Sequence, residues 1–168
     1  QKYGEFQSTA CRSRATLFQI TLTCRSAASP KLTRAKLSRL FKRVWNLIPN
    51  SRCLADFQGR TRVAVDVLVV DDGEIAALNV SHLKTRGPTD VLAFSMGEID
   101  MERCAYHLGE IVVSFETAAR EAAARNLNVE QELSRYCVHG FLHLLGYEDA
   151  TAKQRKELFM LQEKALKA

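Results

Sequence analysis

Apolar and polar residues alternate through TLFQITLTC (Thr16–Cys24), the period of two expected of a strand with one covered face. Beyond it the period lengthens: Leu37, Leu40, Phe41, Val44 and Ile48 recur at helical spacing, and Ser29 with Pro30 offers an N-cap and a first-turn proline. RVAVDVLVV (Arg62–Val70) is β-branched and apolar on both faces apart from Asp66, as a covered central strand should be. Asp71 followed by Glu74 predicts a capped short helix through Leu78. TDVLAFSM (Thr89–Met96) reads as the next strand, GEIDMERCAYH as a turn and excursion, and HLGEIVV (His107–Val113) as a further strand. Ser114 then caps the alanine-rich FETAAREAAARN, Asn128 and Gln131 cap the helix carrying ELSRYCVHGFLHLL, and Thr151 with Gln154 opens a last helix, AKQRKELFMLQEKAL. Strands and helices mix without a regular βαβ rhythm and the chain closes on helices. The pattern therefore predicts an α+β domain, a small mixed β-sheet packed by helices.

Length and composition narrow this picture. A chain of 168 residues suits one domain that needs neither disulfide nor metal as a staple. Residues 1–14 lack an apolar h-region and read as a flexible extension, leaving 15–168 as the single domain. The five cysteines are odd in number and show no CxxC spacing, which argues against a disulfide framework or a thiolate zinc ribbon and for a reducing cytoplasm. No apolar run reaches the ~18 residues of a membrane span.

Charge is unevenly spread. Residues 1–62 carry 13 Lys/Arg against 2 Asp/Glu, net +11, whereas residues 63–168 carry 11 against 17, net −6. The basic part suits a polyanionic partner, with a solvated helix face as the plainer alternative, and the acidic part suits a cation. On the first predicted helix the basic face comprises Lys31, Arg34, Lys36, Arg39, Lys42 and Arg43.

The stretch HGFLHLLGYED (His139–Asp149) holds the densest chemistry. His139 and His143 stand one helical turn apart on one side of a helix, a spacing that lets two imidazoles converge on one ion. Such a pair can also be merely packed, yet Leu133, Cys137, Phe141 and Leu144 already form the apolar stripe without it. Gly146 is placed to stop the helix in a left-handed conformation, so that Glu148 or Asp149 returns toward the histidines. Gly140 stands where the HExxH proteases place their glutamate, which disfavours peptide hydrolysis by that route.

HGFLHLLGYED resembles the signature HGxLHLxGYDH of the YbeY family of bacterial rRNA-maturation metallo-endoribonucleases. LNVSHLKTRGPTDVLAFS is similar to that family's LNxxYRxxDxPTDVLSFP, and HLGEIVVS to its LGDIxIS; the likeness covers about residues 62–166. The resemblance implies a single α+β domain with a metal cleft, one zinc ion, and cleavage of single-stranded RNA in maturation of the small-subunit rRNA 3′ end and in ribosome quality control. Its implied partners are ribosomal RNA and the small ribosomal subunit.

Carried over position by position, the zinc ligands fall on His139, His143 and Asp149, the last replacing a third histidine. A carboxylate there adds negative charge and makes harder metals more competitive. The family's arginine falls on Leu83 and its tyrosine on His82, so Lys84 and Arg86 become the candidates to hold phosphate. The family's LGDI aspartate becomes Glu110, which could orient a ligand histidine or act as a base. Two other readings follow from the same residues: a non-catalytic ribosome-assembly protein with a structural metal, favoured by Leu83, and a non-haem iron enzyme built on two histidines and a carboxylate.

Overall fold

The computed structural model describes residues 17–28, 30–48, 62–84 and 87–167. The extension expected over residues 1–14, the cap expected at Ser29 and the candidate Arg86 lie outside them. Four strands, β1 (Leu17–Cys24), β2 (Arg62–Val70), β3 (Val91–Asp100) and β4 (Ala105–Ser114), form one mixed sheet in the order β1-β2-β4-β3. β1 and β4 run parallel to β2, and β3 runs antiparallel to β4. Among the described residues the sheet is accompanied by five helices: α1 (Arg34–Leu47), α2 (Asp72–Leu83), α3 (Phe115–Ala124), α4 (Val129–Leu144) and α5 (Ala152–Lys167). The α+β class expected from the pattern is thus the observed one.

β2 is covered on both faces, which is why its sequence is apolar without alternation. Val63, Val65, Val67 and Val69 enter the main core with Leu37, Phe41 and Val44 of α1, Phe141 and Leu142 of α4, and Leu158 and Leu161 of α5. Phe41 and Phe141 stack with ring centroids 4.2 Å apart, joining α1 to α4 at the centre of that core. Leu68 and Val70 point the other way, into a smaller cluster with Ile75 of α2, Leu92 and Val112. Asp66, the one acidic residue of β2, lies on this second face and receives a bidentate pair from Arg103 at 2.7 and 3.0 Å. Burial acts to raise the Asp66 carboxyl, but hydrogen bonds from Arg103 and Thr21 and the charges of Arg103 and His107 outweigh it and leave the carboxyl below its ordinary value.

Three boundaries differ from those read from the pattern. α1 opens at Arg34 rather than after Ser29, because the Thr33 side chain accepts the Lys36 N–H at 3.2 Å and supplies the cap. α2 continues past Leu78 to Leu83, where Lys84 in a left-handed conformation (φ 56°) closes it through an N–H bond to the Val80 carbonyl. The supposed excursion is largely strand: β3 runs on to Asp100 and β4 begins at Ala105, so the two make a long hairpin, and the exposure of β3 from Ser95 to Glu98 hides its pairing from the hydrophobic pattern.

Candidate metal centre

α4 carries the site, and its placement starts from its caps. Asn128 and Gln131 form the reciprocal capping box expected from the sequence, at 2.9 and 3.0 Å. At the other end Gly146 N–H binds the His143 carbonyl at 2.9 Å and Tyr147 N–H the Leu142 carbonyl at 3.0 Å. This is a Schellman stop, and the φ of 84° at Gly146 is one that a residue with a Cβ adopts only at a cost. The chain therefore reverses and returns along α4.

Gly140 determines how closely α4 approaches the sheet. A Cβ at that position would lie 2.7 Å from Ile111 Cγ2 on β4 and 3.1 Å from Val91 Cγ2 on β3. Position 140 thus faces the sheet, while His139 and His143, on the neighbouring flank, remain half-buried, His139 in the wall of a cleft. The glutamate of an HExxH motif at position 140 would be driven into the sheet.

The two imidazoles meet edge to face, with centroids 4.6 Å apart and Nε2···Nε2 at 2.9 Å. Each Nδ1 is held by an oxygen: His143 Nδ1–H donates to the Tyr147 carbonyl at 2.8 Å, and His139 Nδ1–H to Gln162 Oε1 at 3.1 Å. These partners fix the tautomers, so that both Nε2 atoms present lone pairs to the same point. Two lone pairs at that distance repel unless a cation lies between them. Burial, and then the neighbouring His143, hold His139 below the usual imidazole range, which keeps the ring neutral and able to ligate.

Asp149 completes the group. Its Oδ2 lies 4.0 Å from His143 Nε2, and ligand atoms of His139, His143 and Asp149 all fall within 4.8 Å of one another. Glu148 instead accepts from Gln154 Nε2 at 3.3 Å, and it is Asp149 that groups with the two histidines. Arg155 ties down the returning segment by donating to the Asp149 and Ala150 carbonyls at 2.9 and 3.0 Å. Two imidazole nitrogens and one carboxylate oxygen are a donor set that zinc accepts.

The other expected residues are disposed differently. Lys84 is exposed at the end of α2. Glu110 pairs across the sheet with Asp66 and Phe94, on the face opposite Ile111 and hence opposite α4. The register does not bring it to the histidines, and the ring positions expected of it are filled by Gln162 and Tyr147. Asp90, at the start of β3, does line the cleft with His139 and Asp149. Tyr136 lines it too; burial, then the charges of Asp90 and Glu132, push its phenol up to about 12, so it stays neutral. Gln162 was missed by motif reasoning, although a polar residue between Leu161 and Ala165 on the buried side of α5 is a signal that something holds it there.

Residues 23–168 match the family described as Endoribonuclease YbeY. The chain belongs to that family. It is 40% identical to Endoribonuclease YbeY of Aquifex aeolicus over 102 residues, 60% of this chain and 66% of that one, and 38% identical to the protein of the same name from a Nocardioides species over 107 residues, 61% and 72% of the two chains. The aligned stretch thus spans about two thirds of these relatives. The solution structure of a Thermotoga maritima protein superposes with a TM-score of 0.54 at 29% identity, covering 89% of this chain and 87% of that one. No helix among the described residues is long and apolar enough to cross a membrane.

Proposed function

We propose that this YbeY-family chain is a metal-dependent endoribonuclease acting on single-stranded RNA, with one zinc ion held by His139 Nε2, His143 Nε2 and Asp149. The observation that supports it is the pair of Nε2 lone pairs aimed at one point, with both Nδ1 positions already occupied. When bound, the metal supplies Lewis-acid polarisation of a phosphate oxygen and activation of the attacking hydroxyl or water. Gln162 and the Tyr147 carbonyl keep both rings in the ligating tautomer, while Asp149 closes the third side. Lys84 and Arg86, the candidates the sequence offers for holding phosphate, bind the RNA backbone. Within cells the substrate is ribosomal RNA, at the 3′ end of the small-subunit species, and the partner is the small subunit in the cytoplasm, where the same activity serves ribosome quality control.

The full chain, stripped with chelator and reloaded with zinc, manganese or magnesium, tests this on single-stranded and duplex RNA of matched sequence. Cleavage of the single strand that is lost with chelator, restored by metal and absent in His139→Ala supports the reading. Leu83, at the family's arginine position, favours a second reading as a ribosome-assembly protein with a structural metal. Stoichiometric metal and RNA binding without cleavage would decide for it.

A further inference from the structure

The cleft that contains His139 and Asp149 has a volume of about 540 Å³ and is lined on its other side by Arg125 and Arg135. Neither belongs to the sequence motifs. Arg125 caps the end of α3, and Arg135 lies on α4 one turn before His139. Glu132, Arg135, His139 and His143 follow one another at intervals of three and four along α4, so they form a single stripe.

The arginines share a buried counter-ion. Glu132 is 0% exposed. Its Oε1 accepts from Arg125 Nη1 at 3.2 Å and lies 3.7 Å from Arg135 Nε, while its Oε2 has no hydrogen-bond partner among the described residues. An ionised carboxylate in that position costs several kcal/mol in lost hydration, and core packing alone would favour an apolar residue. Arg125 is also held by Glu121 at 3.0 Å, and Arg135 by Glu163. Each guanidinium has five N–H groups in a rigid fork, and these contacts leave donors of both directed elsewhere. The Arg125 side chain is 50% exposed and that of Arg135 25% exposed.

We propose that Arg125 and Arg135, positioned by Glu132, form a clamp for the non-bridging oxygens of a phosphodiester adjacent to the one presented to His139, His143 and Asp149 in a single-stranded polyribonucleotide. The inference rests on the reading of the site as a ribonuclease centre and supplies the anion-holding role that Leu83 cannot. Arg135 sits one to two helical turns from the ligand histidines, or ~6–12 Å along α4, and Arg125 reaches the same flank from the end of α3 through Glu132, so the clamp grips a neighbouring group rather than the reacting one. Binding a neighbouring phosphate equally in ground and transition states raises affinity without changing kcat.

The test uses the zinc-loaded full chain and a labelled single-stranded oligoribonucleotide, with its 2′-deoxy analogue, verified intact by electrophoresis after each incubation, as the binding probe. Arg125→Gln and Arg135→Gln should each weaken binding about tenfold or more, the double variant should flatten the log–log salt slope by about 1.4, and metal content should stay at wild-type level. In cleavage, KM should rise while kcat holds. Glu132→Gln, which keeps the volume and removes the charge, should raise KM in the same sense without loss of metal. Unchanged affinity and slope in the double variant would overturn the clamp, as would failure of the wild-type protein to bind either probe. Wild-type binding without cleavage would sink the ribonuclease reading while the slope still decides the clamp. If the Gln variants lose cooperative melting, Arg125→Lys with Arg135→Lys replaces them: reduced affinity at an unchanged slope supports the clamp, and full affinity overturns it.

Discussion

His139 Nε2 lies 2.9 Å from His143 Nε2, and neither nitrogen has a proton to offer the other, because each ring's proton is committed at Nδ1. A metal relieves that opposition. His139→Ala or His143→Ala should therefore reduce bound metal to near background, and full stoichiometry in the double variant would remove the site. Gln162→Leu should weaken metal binding about 10- to 100-fold, the usual cost of losing the group that orients a ligand histidine. Metal analysis by mass spectrometry after dialysis reads all of these.

Asp149 and Glu148 are neighbours with different partners. Asp149→Ala should weaken binding strongly, Asp149→His should restore it and shift preference toward zinc over manganese and magnesium, and Glu148→Ala should leave it near wild type. Loss of metal in the Glu148 variant, with retention in Asp149→Ala, would reverse the assignment.

Gly140 fixes the separation of α4 from the sheet. Gly140→Ala should cost about 1–3 kcal/mol by forcing a methyl against Ile111 and Val91, and Gly140→Glu, which writes HExxH into the sequence, should destabilise further and create no peptidase. Urea denaturation of the three proteins gives the comparison. Wild-type stability in Gly140→Ala would mean that the helix can lift from the sheet at little cost.

On α1, Arg34, Arg39 and Lys42 are exposed, whereas Lys36 pairs with Glu130 and Arg43 reaches the Ala165 carbonyl. Reversing the three exposed charges should flatten the salt slope of RNA binding by up to about 2, at ~0.7 per phosphate for single strands. An unaltered slope would leave this face with no role beyond solvation.

The Asp66–Arg103 pair predicts a pH dependence of stability. Asp66 is held below the ordinary carboxylate value, so its contribution is fully present above that value and is lost as pH falls through the lower folded one. Asp66→Asn should cost about 1–3 kcal/mol near neutral pH, with the gap to wild type closing below about pH 4. Thermal unfolding across that range would show it. A gap that persists undiminished into strong acid would mean that packing, not charge, holds Arg103.

The sequence by itself determined the elements whose signal is local. The period of two located β1, an unbroken apolar run β2 and helical spacing the long helices, the Asn128–Gln131 and Thr151–Gln154 pairs are hydrogen bonds between residues three apart, and Gly146 marks its own stop. The His139–His143 spacing was legible for the same reason, since a helix turns neighbours in sequence into neighbours in space. Tertiary structure decided what depends on contacts across the fold. Only the return of the chain after Gly146 selects Asp149 over Glu148, only the packing of α5 on α4 brings Gln162 to His139, and only the strand register turns Glu110 away from the histidines. Arg125, Glu132 and Arg135 likewise read as ordinary helix charges until α3 and α4 pack together and close Glu132 off from water. The physical reason is range: caps and helical faces are set by backbone geometry within one or two turns, whereas desolvation and convergence of side chains exist only once distant segments exclude solvent together.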